Sequence, residues 1–592
     1  ADSLRFAQPQ TTLITDGDAA TTLTTGAILI SSTVGANTTR IETNILRPSP
    51  AIAAISPELN IIQNNTDAPL VITSAISNSL NTSAAVVPTF VNKAGPGLLI
   101  LSGVNTFTGS LRVYEGAVQL GAGGDLSSSS ELLIGSGARS ARVILGSGST
   151  ASTLGSVDYV QTVGSGTDNR IVGGSTALSR LTLTGSVSIP SDFRTGFLGG
   201  SGANENNLEL RMAAINGLIM LGAENTYAGR TIISRGIIQV EKLANIGEVS
   251  SLGTGNANGT AGIIPLSDAT TSGTDSPAVS IIRYVGRTDS VTNRPITITN
   301  SDFATDISST VAVLENIGTG TVKFTAPFTV SGSNTSDRVL RLTGTNTGLN
   351  EVVSIPDVSS SIITRLEKEG RGTWALTGNS TYTGDTTVTQ GILLANNPLT
   401  GSATGLGNVR VSAGATGGGT GRIAPASGNS IFINGGLLNP GLPGISIAAG
   451  RLTLETSGAG ALTLDNNATL VLDLISGAGL GNNTADATAA DQLAIAGLAS
   501  FGSGSTLRVL NPNQMTAWAA NDQWQLFDWA GLSSPVTGGF TSYDLPTLPD
   551  GLLWNVDDLF TTGILSITLV PEPGRLSLVA LALLGLGLRR RR

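Results

Sequence analysis

Three stretches of this chain overlay without a gap: GLLILSGVNTFTG at 97–109, GLIMLGAENTYAG at 217–229 and GTWALTGNSTYTG at 372–384. Each runs on to a further glycine and an apolar pair, Gly116 with Val118, Gly236 with Ile238, and Gly391 with Leu393. Lys93-Ala94-Gly95 and Lys368-Glu369-Gly370 extend the first and third copies upstream, and a degenerate copy reads LTGTNTG at 342–348. Such a unit permits few folds. Four or five apolar residues make a short strand, as at Leu98–Leu101. Asn and Gly then supply a corner, because they accept backbone that other residues resist. An aromatic (Phe107, Tyr227 or Tyr382) closes the corner, a second strand follows at Leu111–Val113, and a glycine turn leads to a third at Ala117–Leu120. Three strands and two corners in so short a span describe one coil of a β-solenoid, in which each strand pairs with its equivalents above and below.

Composition agrees. Of 592 residues 76 are Gly, charged residues make up 12% and aromatics 4%. Mean hydropathy is +0.21, so the chain is not a disordered polar one. The apolar residues are interleaved with Thr, Ser and Asn, which suits strands and tight turns. There is no Cys and no His, which removes disulfides, thiolate chemistry, the usual general base and the commonest metal ligands. Net charge is −9, and −13 without the four terminal arginines. That balance argues against nucleic acid or an anionic membrane surface as partner and fits a protein in an external medium. The chain begins at Ala1, as expected of a mature form whose signal peptide has been removed.

The repeat unit resembles the autotransporter-associated β-strand repeat of long secreted passenger proteins. The match is closest at 97–109. At 217–229 Gly222-Ala223 replaces the usual Ser/Thr-Gly, and at 372–384 Ser380 stands where Asn is usual. The stretch 405–450, with its GGGTG at 417–421 and Leu438-Asn439-Pro440-Gly441, is similar to the region that follows such repeats. The resemblance implies repeat corners at Asn105 and Gly109, Asn225 and Gly229, and Ser380 and Gly384. The expected fold class is all-β: a right-handed parallel β-helix (β-solenoid) with a short C-terminal hydrophobic helix.

That helix belongs to the end of the chain. Pro571-Glu572-Pro573 interrupts regular structure, Leu576–Leu588 is an uncharged apolar run, and Arg589, Arg590, Arg591 and Arg592 follow. Arginines resist crossing a bilayer and stay cytoplasmic. The tail resembles the PEP-CTERM sorting signal, which implies recognition and removal by an exosortase-type membrane peptidase. Thirteen residues span roughly 20 Å as a helix against roughly 30 Å of hydrocarbon, so flanking arginines must snorkel or the bilayer thin. A plain core or amphipathic helix is the alternative. A conventional autotransporter ends in a membrane barrel, which this tail does not resemble.

Four regions are expected: atypical β coils or a cap at 1–92; the β-helix at 93–450, with repeats at 93–120, 213–240 and 368–395; a C-terminal β region and cap at 451–568; and the sorting tail at 569–592. In the third region Leu452, Leu454, Leu462, Leu464, Leu470, Leu472, Leu474, Leu507 and Val509 keep a period of two, the mark of strands with one buried face. Trp518, Trp524, Trp529 and Trp554 read as a plug for the open end of the solenoid, with a sugar-stacking platform as the alternative.

No convergent catalytic set is evident. Asp557-Asp558 would point to opposite faces if they lay in a strand. Asp465 and Asp473 read as solvated carboxylates, and Glu367-Lys368-Glu369 as a solvated charge run. The Asn pairs at 64–65, 466–467 and 482–483 read as turn caps, with laddering or cation binding as the alternative. The run Gly417–Gly421 reads as a turn, not a phosphate loop. The expectation is therefore a non-enzymatic, cofactor-free structural or adhesive protein of the cell surface or exterior. Its partners would be the exosortase-type peptidase, the inner membrane through the tail before processing, and extracellular polysaccharide or biofilm matrix. The alternatives are a carbohydrate-active β-helix enzyme (polysaccharide lyase or hydrolase), marked by aligned Asp, Glu, Arg or Lys along a groove, and a self-assembling surface layer or filament subunit, marked by unpaired edges of the end coils.

Overall fold

A computed structural model describes residues 3–570 except 16–20, 49–56, 82, 122, 125, 127–130, 151–152, 158–159, 185–189, 256–263, 267–278, 300–309, 332–336, 447 and 477–488. It divides into two compact units, Ala1–Glu367 and Lys368–Arg592. Described strands are short and pair almost throughout in parallel, each with the strand one coil away.

In the first unit, one stack runs through Ser3–Phe6, Ala27–Ile30, Glu58–Gln63, Phe90–Ala94, Leu111–Val113 and Leu132–Ile134. A second runs through Thr12–Thr15, Thr39–Glu42, Leu70–Ile72, Leu98–Leu101, Gly116–Leu120 and Ala141–Gly148. A third joins Thr22–Thr24, Ile45–Arg47 and Ala75–Ile76. Coil length varies: Ala27 pairs with Asn60, whereas Asn92 pairs with Arg112. Longer strands, Leu208–Leu221 and Thr231–Val240, carry the second repeat.

The second unit repeats the plan. Thr386–Val388, Val409–Ser412, Ile431–Asn434 and Ala461–Asp465 form one stack. Thr373–Leu376, Gly391–Ala395, Ala415–Gly419, Leu437–Pro440, Thr469–Asp473 and Thr506–Leu510 form another. Arg451–Glu455 pairs with the first half of Gln492–Phe501, and Ala461–Asp465 with its second half. The run Gly417–Gly421 is corrected here. Gly417 to Gly419 are not a turn but the end of a strand paired on both sides. A side chain at Gly418 would lie 2.1 Å from the Asn439 carbonyl oxygen, so only glycine lets the neighbouring coil approach.

Alternation sorts the side chains. All nine period-two residues of the C-terminal region are buried, and burying each contributes roughly 1.5–3 kcal/mol. Outward positions are stitched coil to coil by matching polar groups: Asn92 to Asn60 at 2.9 Å, Thr297 to Thr329 at 2.7 Å, and Thr506 to Ser542 at 2.7 Å. Charged pairs sit in the same register, with Arg180 on Glu209, Arg283 on Glu315, Lys323 on Glu351 and Arg508 on Asp544. Such cross-strand pairs contribute roughly 0.2–1 kcal/mol each.

The described chain ends differently. Gln523–Gln525, Leu552–Asn555 and Ile564–Leu569 form an antiparallel sheet. Antiparallel pairing lets a short loop reverse the chain. The tail, with Pro571, Glu572, Pro573 and Arg589 to Arg592, lies outside the described residues, as does the expected hydrophobic helix. Among the described residues no helix is long and apolar enough to cross a membrane.

Candidate functional site

The repeat corners bury polar side chains. Asn105 Oδ1 accepts from the Ile76 amide of the preceding coil at 3.1 Å, and its Nδ2 donates to Gly103 O. Asn225 does the same: Oδ1 accepts from Leu198 N at 2.8 Å, and Nδ2 donates to Gly222 O and Ser251 O. Both asparagines are buried, so each satisfies backbone groups that water cannot reach. Ser380, at the third corner, is buried and donates its amide to Ser402 O at 2.8 Å. Gly109 leaves no room for a side chain, since a Cβ would lie 2.2 Å from Thr89 O. At Gly229 it would lie 2.5 Å from Leu208 O. Gly384 is buried as well. The left-handed backbone falls on the later glycines, Gly116, Gly236 and Gly391, with φ of 76°, 91° and 71°.

The corner aromatics are interior. Phe107, Tyr227 and Tyr382 are each 0% exposed. Tyr227 Oη lies 2.5 Å from Thr231 Oγ1, and Tyr382 Oη lies 2.6 Å from Thr386 Oγ1. Thr386 donates its own proton to Thr404 O, so Tyr382 is the donor of that pair. In the first copy the corresponding residues are Phe107 and Leu111, and hydroxyl and partner are absent together. Burial pushes the Tyr227 phenol up to about 12, so it stays protonated.

Lys368 corrects the reading of 367–369 as a solvated run. It is 0% exposed, and its Nζ donates to the carbonyls of Glu369, Gly370 and Gln390 at 2.7, 2.7 and 2.9 Å. Lys93 is its counterpart and donates to Gly95 O and Glu115 O. Burial lowers Lys93 to about 8 and Lys368 to about 7, against the opposing charges of Glu115 and Glu369. The Lys-x-Gly signature thus marks an internal tie between turns and not an exposed cation.

The carboxylates are the remaining candidates. Asp473 is half-buried and not solvated, with Oδ1 shielded and without a hydrogen-bond partner. Asp491, which the sequence did not single out, is 2% exposed. It accepts from Gly450 N at 2.7 Å and from Asp473 N at 3.2 Å. Burial, with the charge of Asp473, pushes Asp491 up to about 7. A neutral acid of this kind can donate a proton, but this one faces backbone amides. Asp465 holds a turn, accepting from Asn466 N. Asp557 and Asp558 are exposed in a turn and not in a strand. Asn466 and Asn467 have φ of 54° and 65° and so occupy a turn, and Asn466 also ladders onto Asn434. Asn65 accepts from Asp67 N and reaches Gly35 O of an adjacent coil. The pair 482–483 lies outside the described residues. Among the described residues no group of three or more acidic side chains is placed to hold a metal ion.

The tryptophans pack on one another. Trp518, Trp524 and Trp554 lie 5.6–5.8 Å apart by ring centroids, and Trp529 stacks on Phe527 at 4.6 Å. The indole N–H groups of Trp524, Trp529 and Trp554 donate to Ser476 O, Leu559 O and Pro546 O. Rings packed on one another, with their N–H edges engaged, favour the plug over the sugar platform.

Comparison with known proteins finds the passenger-associated-transport-repeat at residues 91–120, 217–240 and 366–395. The chain is 35% identical over 170 residues to the adhesin BmaC autotransporter of Brucella suis biovar 1 (strain 1330), covering 28% of this chain and 4% of that protein. It therefore spans a small fraction of that relative's length. Against the crystal structure of the Haemophilus influenzae Hap adhesin, the alignment covers 95% of this chain and 64% of that one, at 12% identity and a TM-score of 0.28. Likeness at that score carries no argument about fold or function.

Proposed function

We propose that this protein is a secreted or cell-surface structural and adhesive β-solenoid, sorted through its C-terminal tail and associated with exopolysaccharide or biofilm matrix. The observation that carries the proposal is the repeat itself. Corner, aromatic and glycine recur as one internal packing device in coils whose outer faces bear paired charges and polar ladders. Stacked coils of this kind spend the chemistry of the repeat on packing and leave their lateral faces for contact. Aligned charges do occur, but Glu209, Glu315, Glu351 and Asp544 each pair with a cation on an adjacent coil and so leave no free carboxylate pair among them for hydrolysis, which favours the adhesive reading.

In this reading an exosortase-type peptidase binds the extended Pro571-Glu572-Pro573 segment while the arginines at 589–592 hold the C-terminus in the cytoplasm. Fractionation of the native host with sequencing of the mature C-terminus tests it. Surface protein should lack peptides from Leu576 onward, and changing Pro571 and Pro573 to Ala should trap a membrane-bound form. Surface protein that still ends in Arg592 would sink the sorting step. Failure of the tail-less protein to coat cells or matrix polysaccharide would sink the adhesive one.

A further inference from the structure

In the first unit a cavity of about 530 Å³ opens beside the second repeat corner. This volume lies within the roughly 300–1,000 Å³ of small-molecule sites. Phe197, Ser201, Glu224, Thr226, Lys242 and Val249 line it, with Arg170 and Gly200. Its walls are held in place. Asn206 Oδ1 accepts from Gly200 N at 3.0 Å and from Thr226 Oγ1 at 2.7 Å. Thr226 N donates to Leu198 O. Arg170 covers one face of the Phe197 ring at 4.6 Å and donates to Gly199 O. No loop needs to close to form the site.

The third repeat shows what is unusual here. The positions of Glu224 and Lys242 are occupied there by Asn379 and Asn397. Those two join directly, Asn397 Nδ2 donating to Asn379 Oδ1 at 2.8 Å. In the second repeat the same positions carry opposite charges, yet no ion pair between them forms among the described residues, and the cavity lies where the bond would be. Glu224 and Lys242 are exposed, so folding does not require them. A carboxylate, an ammonium, a guanidinium, two hydroxyls and an aromatic ring line one space.

We propose that this cavity is a binding subsite for one neutral pyranose unit of a glycan. A pyranose offers a C–H face for Phe197, and vicinal hydroxyls that donate to Glu224 and accept from Lys242. Neutral sugar fits better than uronate, because the charges of Glu224 and Lys242 offset one another across the cavity and Arg170 is already paired with Asp168. The proposal rests on the adhesive reading, to which it adds a place and a ligand class.

The full chain is titrated by calorimetry and saturation-transfer NMR with cellohexaose, chitohexaose, maltohexaose and hexagalacturonate. The neutral oligomers should bind, and the double variant E224A/K242A should weaken them about tenfold with an unchanged thermal melt. F197A should weaken them further, and E224Q less than E224A. Binding of hexagalacturonate alone overturns the neutral assignment. Binding of none of the four, or equal binding by the double variant, overturns the site. Surface coating by the double variant, measured in parallel, separates the two readings. Coating retained without oligosaccharide binding leaves the protein adhesive through other surfaces, and coating absent from the unsubstituted protein removes the adhesive reading itself.

Discussion

The first and third repeat copies solve one packing problem with different chemistry. Both bury an aromatic corner and tie two turns with an internal lysine. In the first, Phe107 and Leu111 are both buried, and Lys93 reaches two carbonyls. In the third, Tyr382 donates to Thr386, which donates onward to Thr404 O, and Lys368 reaches three. The second copy has the tyrosine–threonine pair but Ala213 in place of the lysine. A buried hydroxyl is tolerated only with its partner, so donor and acceptor come and go together. The third copy therefore depends more on polar satisfaction, and the first on apolar contact.

The largest test attacks what the copies share. Gly109→Val forces a branched side chain against the Thr89 carbonyl and should cost about 3 kcal/mol. Gly229→Val should behave alike, and a thermal melt unchanged by either would break the equivalence of the corners.

Lys368→Met comes next. It strands three carbonyls and should cost about 2 kcal/mol. Lys93→Met strands two and should cost less, so the reverse order in denaturant melts would show that carbonyl count does not govern the tie. Smaller again is Tyr382→Phe, about 1 kcal/mol. Adding Thr386→Leu recreates the first copy's pair, so the double variant should lose less than the sum of the singles. Strict additivity in a double-mutant cycle would deny the coupling.

The last test is pH, in the unit that holds both Lys368 and Asp491. Unfolded Asp491 titrates near 3.8 and folded near 7. Between these values the folded state binds more protons, and stability falls as pH rises. Unfolded Lys368 titrates near 10.5 and folded near 7. Between these the unfolded state binds more protons, and stability rises with pH. The melt should therefore be lowest near neutrality. Asp491→Asn should shrink the acid-side slope, leaving the share of Asp473, whose carboxyl burial also pushes up, and Lys368→Met should remove the alkaline one. A flat profile in the unsubstituted protein would refute both.

Coils, strands and corners were legible in the amino-acid order because they rest on local rules. Period-two burial at Leu452 to Val509, glycine where coils meet and asparagine at corners all repeat at short range, and each copy reports on the others. Tertiary structure alone decided the environment of the charges. Lys368 between two glutamates reads as solvated, yet the turn at Gly370 and the strand after Gln390 fold carbonyls around it. Asp491 is 18 residues from Asp473 in sequence but sits beside it because Leu474 and Ala490 bridge antiparallel. The gap between Glu224 and Lys242 depends on where two turns stop, a distance that no local pattern encodes. Local propensity and periodicity set which residues turn inward. What a buried charge meets there is set by the stacking of coils, through contacts remote in the chain.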